Sequence, residues 1–218
     1  MPRDKRMKKY IAEGIGTFFL MFSTVMATNI GDIAIMAPLI IGLTLAAMIY
    51  ASEHISGAHF NPAVTLAMLM RGKLARNEAF YYPVAQLAGA LLAAILGGFL
   101  LRAGYATDTQ MHVHKNSISS LLAEFTGTFG WVYVMLNVTT VKSGSGNSHF
   151  GLAVGCVVAA MIYVLGGISG GVFNPAVALG SIMTGMSNPG DILIFLAGNL
   201  IGAAAAATAF QLVHDHEE

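Results

Sequence analysis

Charge is scarce in this chain. Only 10% of its 218 residues are Asp, Glu, Lys or Arg, against about 25% in an ordinary soluble domain. So few charges cannot cover a water-facing surface, which argues against a soluble globular enzyme. The same scarcity excludes a disordered chain, a charged coiled coil and a nucleic-acid binder with a basic stripe. Cysteine is almost missing: Cys156 stands alone, so no intrachain disulfide can form, and it reads as a structural thiol. No phosphate-binding loop and no catalytic triad is visible, so no residue supports an enzyme, and no cofactor or metal site is expected. Eleven basic residues balance eleven acidic ones, so net charge says nothing about partners. The 25 glycines have no three-residue period and are not collagen-like. What fills the chain is hydrocarbon, with 56% hydrophobic residues and a mean hydropathy of +0.68.

That hydrocarbon falls in six long stretches, at about residues 11–28, 33–51, 79–101, 118–141, 150–166 and 192–213. Each approaches the ~20 residues that a helix needs to cross a ~30 Å hydrocarbon core. They are apolar on all sides, whereas barrel strands alternate over about ten residues; helices are predicted. The first stretch follows a basic segment, as a signal peptide would, but no cleavage pattern closes it and five more spans follow. Two shorter runs, 61–70 and 174–184, reach only about 15 Å as helices, half of the core. Runs of that length are candidates for re-entrant segments. With the amino terminus inside, Arg3, Lys5, Arg6, Lys8, Lys9, Arg71, Lys73, Arg76 and Lys142 fall on the cytoplasmic side, and only Arg102 and Lys115 outside. The positive-inside rule therefore predicts a multi-pass cell-membrane protein with both termini cytoplasmic.

The two halves of the sequence match. Ala12-Glu13 and Gly16-Thr17-Phe18 recur 111 residues later as Ala123-Glu124 and Gly127-Thr128-Phe129. Ala46-Ala47-Met48-Ile49-Tyr50 recurs 113 residues later, from Ala159 to Tyr163. Ile55-Ser56-Gly57 with Phe60-Asn61-Pro62-Ala63-Val64 recurs at the same offset as Ile168-Ser169-Gly170 with Phe173-Asn174-Pro175-Ala176-Val177, and Gln86 and Gly89 align with Asn199 and Gly202. The chain therefore reads as one domain, 1–218, built from repeat one at about 10–101 and repeat two at about 118–213. Each repeat holds three spans and one short run. Three is odd, so the second copy enters from the opposite face, giving an inverted repeat whose short runs meet near the midplane.

Asn61 and Asn174 open those short runs. Asn is a strong N-cap, and Pro suits the first helical position because its missing N–H had no partner there. A helix start presents unpaired N–H groups and about half a positive charge. Two such ends abutting in a low-dielectric medium repel cations and suit a neutral molecule with an oxygen lone pair. Each Asn amide can donate to that oxygen. Irregular backbone at membrane depth is tolerated where it is buried in protein or lines a water-filled cavity. The carbonyls of Gly57, Ala58, His59 and Phe60, and of Gly170, Gly171, Val172 and Phe173, are thus expected to form a ladder of acceptors. Glu13 and Glu124, inside spans one and four, are expected to accept N–H groups of the neighbouring loop, with a proton relay as the other reading. Gly89/Ala93/Gly97, Gly151/Gly155 and Gly198/Gly202 are small-residue pairs that let helices approach.

On the run from His54 to Thr65, the two Asn-Pro-Ala triplets and the paired Ala-Glu-x-x-Gly-Thr-Phe segments, the chain resembles the major intrinsic proteins, the aquaporin and aquaglyceroporin channels. The likeness covers essentially the full length. It implies an all-α membrane fold of six tilted helices and two re-entrant half-helices, a homotetramer, and a pore in each subunit. It also implies a constriction made by Ile41, Ile162, Gly171 and Val177. Most water and glycerol channels carry Arg where Val177 stands, and glycerol channels follow it with Asp where Ala178 stands. This apolar ring, wide on the Gly171 side, resembles the Arg-less filters of some plant tonoplast intrinsic proteins. The expectation is a passive channel for water and small neutral solutes, such as ammonia, urea, hydrogen peroxide or glycerol. A strictly water-selective channel, a secondary transporter and a structural junction protein are the alternatives. By the same resemblance His54 and His59 brace the loop and line the pore. Glu53, at the cytoplasmic mouth, reads as a solvated carboxylate or a gate, and His112 and His114 as a solvated loop or a pH or metal sensor.

Overall fold

The computed structural model describes residues 3–105, 117–141 and 146–214. His112, His114, Lys115, Lys142 and the tail from 215 lie outside the described residues. Eight α-helices run through the described residues: α1 (Arg3–Asn29), α2 (Ala37–Ser56), α3 (Pro62–Met70), α4 (Glu78–Leu100), α5 (Ser117–Thr140), α6 (Phe150–Ser169), α7 (Pro175–Met183) and α8 (Ile192–Val213). Six are long and apolar enough to cross a membrane. The other two, α3 and α7, have nine residues each. The second apolar stretch was expected to turn helical from residue 33. Instead a 3-10 segment fills Gly31–Met36 and α2 starts at Ala37, with Pro38 in its first turn, where a helix loses no hydrogen bond to proline.

Small residues decide how the long helices meet. α1 packs on α4, α5 on α8 and α2 on α6. A Cβ on Gly89 would overlap the Gly14 carbonyl of α1, and one on Gly202 the Phe125 carbonyl of α5. Where α2 crosses α6, Gly42 and Gly155 each face the other's carbonyl with no room for a methyl group. Hydroxyls inside these helices turn back to the preceding turn: Thr24 donates to Leu20 O at 2.8 Å and Thr139 to Met135 O at 2.6 Å. That satisfies them without water, as hydrocarbon surroundings require.

The half-helices cross over. Besides its own repeat, α3 packs on α8, and α7 packs on α4. Two repeat-related tyrosines tie down the connections. Tyr50 OH accepts from Leu152 N at 3.0 Å and donates to Ser148 O at 3.2 Å, while Tyr163 OH donates to Ile35 O at 3.1 Å. At the basic end, Lys9 of α1 donates to both carboxylate oxygens of Glu78, the first residue of α4, at 3.1 Å. This pair joins the amino-terminal basic segment to the α3–α4 connection that carries Arg71, Lys73 and Arg76.

Candidate functional site

The two loops that lead into α3 and α7 are built alike. α2 ends at Gly57 (φ 86°) and α6 at Gly170 (φ 99°), each a left-handed cap whose N–H returns to the helix at 2.8 Å. Beyond them Phe60 and Phe173 also take positive φ, 50° and 49°. For an L side chain that conformation costs about 1–2 kcal/mol, so something must hold it. Glu13 does so in the first loop. Its Oε1 accepts from Ser56 Oγ at 2.7 Å and His59 N at 3.0 Å, and its Oε2 from Phe60 N at 2.7 Å and Gln86 Nε2 at 2.8 Å. Glu124 repeats the pattern with Ser169 Oγ (2.6 Å), Val172 N (3.0 Å), Phe173 N (2.7 Å) and Asn199 Nδ2 (3.3 Å). Both carboxylates are wholly buried. The phenyl rings of Phe60 and Phe173 lie where a Cβ on Gly16 or Gly127 would be, which explains the glycine three residues after each Glu.

The loops deliver Asn61 and Asn174 to one seam. Each Oδ1 caps its own half-helix, accepting from Ala63 N at 2.8 Å and from Ala176 N at 2.9 Å. Each Nδ2 crosses to the other loop: Asn61 donates to Phe173 O and Asn174 to Phe60 O, both at 2.9 Å. The helix starts of α3 and α7 are thus stitched together by two reciprocal bonds between wholly buried side chains. Pro62 and Pro175 follow as the first helical residues, and Ala63 and Ala176, both unexposed, give each turn the small side chain that close approach requires. An amide NH2 carries two hydrogens. One of each is used here, and the second finds no acceptor among the described residues.

Two carbonyls of the expected acceptor ladder each have one partner within the protein. The carbonyls of Phe60 and Phe173 are the acceptors of the opposite Asn, so they close the seam. Those of Gly57, Ala58, His59, Gly170, Gly171 and Val172 accept no hydrogen bond among the described residues. The two repeats also differ in what packs on these loops. In the first, Thr65 Oγ1 donates to Asn61 O at 3.0 Å and accepts from Gln86 Nε2 at 3.0 Å. Its hydrogen is thereby committed, so His59 Nδ1 is the donor of their 3.2 Å bond and His59 Nε2 is left as an acceptor. Tyr82 braces the same loop through its OH, which donates to Ser56 O at 2.7 Å, and its ring lies 5.0 Å from that of His59. In the second repeat Val172 and Ala178 replace His59 and Thr65.

Three of the four expected ring positions fall into one apolar cluster. Ile41 is 4% exposed and Val177 5%, with Ile162 packed against the same cluster. Gly171 sits where the second loop rests on α6. With φ at 64°, its missing Cβ would point at α6, 3.2 Å from Gly166 Cα and 3.4 Å from Ile162 Cα. The glycine lets the loop lie directly on α6. His54 is exposed on the last turn of α2 and braces nothing among the described residues. Glu53 is half-exposed and forms no ion pair among them, and Cys156 lies on the exposed side of α6.

The family model for major intrinsic proteins matches residues 2–210. The chain belongs to the major intrinsic protein family. It is 34% identical to aquaporin NIP1-1 of Zea mays over 95% of this chain and 75% of that protein. It is 36% identical to glycerol uptake facilitator protein-like 6 of Lactiplantibacillus plantarum, over 92% of this chain and 95% of that one. The fold matches the X-ray structure of the aquaglyceroporin from Plasmodium falciparum with a TM-score of 0.77, at 22% identity, covering 97% of this chain and 96% of that one. The six apolar helices are those of a multi-pass channel protein of this family.

Several members of the site were not assigned a role from sequence. Ser56 and Ser169 each donate to a carboxylate and accept from the next loop residue but one, Ala58 N at 3.1 Å and Gly171 N at 3.2 Å. Gln86 and Asn199 reach the carboxylates from α4 and α8. Their signal was repetition at a fixed offset. Thr65 and Tyr82 had no such signal, since Ala178 and Phe195 stand at the matching places.

Proposed function

We propose that this major intrinsic protein is a passive channel for water and small neutral solutes, ammonia, urea, hydrogen peroxide or glycerol among them, that excludes ions and protons. The observation that carries the reading is the reciprocal pair of Asn61 and Asn174 bonds across the α3–α7 seam. It brings two helix starts together, and their partial positive charges disfavour a cation there. The second amide hydrogen of each Asn is a donor for a passing oxygen. A water accepting from both turns its hydrogens away from the centre, which opposes a proton wire. Beyond the seam Ile41, Ile162, Gly171 and Val177 form a selectivity ring without a hydrogen-bonding side chain. A solute there exchanges hydrogen bonds only with backbone carbonyls of the second loop, those of Gly170, Gly171 and Val172, and with other solute molecules. Such a ring discriminates by size and by the cost of shedding water, and has no cation to repel positive ions. Ion exclusion therefore rests on the seam.

The basic residues support a cell-membrane orientation with both termini cytoplasmic, and the family supports a homotetramer with the two repeats forming one channel in each subunit. Proteoliposomes shrunk in sorbitol, urea and glycerol gradients test the reading. Water and solute flux above that of empty liposomes, unsaturated and weakly temperature-dependent, is expected. Saturation with trans-stimulation would instead make the protein a carrier. Water flux with complete exclusion of urea, ammonia, peroxide and glycerol would refute the permissive ring.

A further inference from the structure

We propose that an acyl chain of a bilayer lipid lodges in a crevice between α4 and α8, against the back of the half-helix seam. Both long helices hold the half-helices, yet they have no packed interface with each other. Between them opens a crevice of about 320 Å³. Pro83 and Leu87, one turn apart on α4, form one wall, and Leu196 and Leu200, one turn apart on α8, form the other. Pro62 and Pro175 form its floor, and no polar atom faces it.

The depth of the crevice identifies its occupant. Its floor is the first residue of each half-helix, next to the two Asn whose bonds mark where α3 and α7 meet. Its walls belong to two membrane-crossing helices. At that level the surrounding solvent is hydrocarbon. Flanking residues of the same helices, Val84 (51% exposed), Leu193 (73%) and Ile201 (58%), continue the apolar surface outward, so nothing polar separates the crevice from the bilayer. An apolar cavity does not hold water, and an unfilled one forfeits the dispersion contacts of its lining. A linear hydrocarbon chain restores them. A second copy of the protein would have to insert a side chain between α4 and α8 to do the same.

The experiment uses the whole chain in phosphatidylcholine vesicles doped with a phosphatidylcholine that carries a diazirine in the distal half of one acyl chain. After photolysis, insertion is mapped by peptide mass spectrometry. Insertion at Leu87, Leu196 and Leu200 is expected to exceed that at Val84, Leu193 and Ile201 by about fivefold, the ratio that ~1 kcal/mol gives. Leu196→Phe, which fills the crevice, should lower insertion at Leu87 and Leu200 and leave Ile201 as it was. Equal labelling of both sets in the unmodified protein would mean ordinary boundary lipid and would overturn the proposal. So would an unlabelled crevice.

Discussion

Glu13 is the point at which the loop frame can be tested most directly. Four donors converge on its buried carboxylate: the N–H groups of His59 and Phe60, the Ser56 hydroxyl and the Gln86 amide. Glu13→Ala strands all four. A buried donor left without an acceptor costs about 1–3 kcal/mol, so the sum is about 4–12 kcal/mol, set against a net stability of about 5–15 kcal/mol for a folded domain. The alanine variant is therefore expected not to accumulate as a folded channel. Glu13→Gln is the graded probe. Its single carbonyl oxygen serves one side of the site, and its NH2 faces the other. The Ser56 hydroxyl can turn to accept from that NH2, but a backbone N–H cannot, so one of His59 N and Phe60 N is stranded. The expected loss is about 1–3 kcal/mol, a fall in Tm of about 2–12 °C for a chain of this size. Glu124→Gln should fall by a similar amount, because its constellation has the same donors. Thermal unfolding in mixed lipid–detergent micelles, with folded yield by size exclusion, reads all three. Equal stability of Glu13→Ala and Glu13→Gln would refute the argument. An unchanged Tm in Glu13→Gln together with altered proton flux would return the relay reading in its place.

Gly127→Ala puts a methyl group into the Phe173 ring and should cost about 1–3 kcal/mol or more, whereas Gly130→Ala on the same helix meets nothing nearer than 3.8 Å and should be close to neutral; the difference in Tm between the two checks it. Val177→Arg adds a fixed charge and a fork of donors to the ring, and the ratio of glycerol to water flux by stopped flow should drop about tenfold, ~1.4 kcal/mol of barrier. An unchanged ratio in folded protein would remove Val177 from the constriction. Tyr50→Phe removes the acceptor of Leu152 N and the tie to Ser148 O. It should cost about 0.5–1.5 kcal/mol and speed amide exchange at the start of α6, leaving α2 unaffected.

The architecture was largely legible in the sequence because its determinants are periodic or repeated. Six apolar stretches exceed what a soluble fold contains, and two shorter ones begin with Asn-Pro, a cap followed by the residue that the first turn tolerates. Duplication then made each weak signal a strong one. Glu13 by itself is a misplaced charge, while Glu13 with Glu124, each followed by Gly-Thr-Phe, marks a part. The start of α2 was misplaced by four residues because hydropathy does not distinguish a 3-10 segment from a helix when both are apolar. Two further features were hidden for a geometric reason. That the Phe60 and Phe173 carbonyls serve the opposite Asn depends on positive φ at two phenylalanines, which no local pattern announces. That the second loop lies directly on α6 at Gly171 depends on that residue's own φ of 64°.

The repeats also separate what must be the same from what need not be. The main anchors of the loops occur twice with matching bonds: the carboxylate, the serine, the capping Asn, the phenylalanine with its glycine socket. Their polar neighbours do not. His59, Thr65 and Tyr82 give the first half a chain of polar contacts, and Val172, Ala178 and Phe195 give the second half none. A frame that holds two helix starts nose to nose needs symmetric anchors, because the strain at Phe60 equals that at Phe173. A path needs no such symmetry, since a solute meets the two halves one after the other. In the proposed channel, an acceptor at His59 Nε2 on one side and hydrocarbon on the other make the cost of entering differ at the two mouths. The equilibrium across the membrane is unaffected, as it must be for a passive channel.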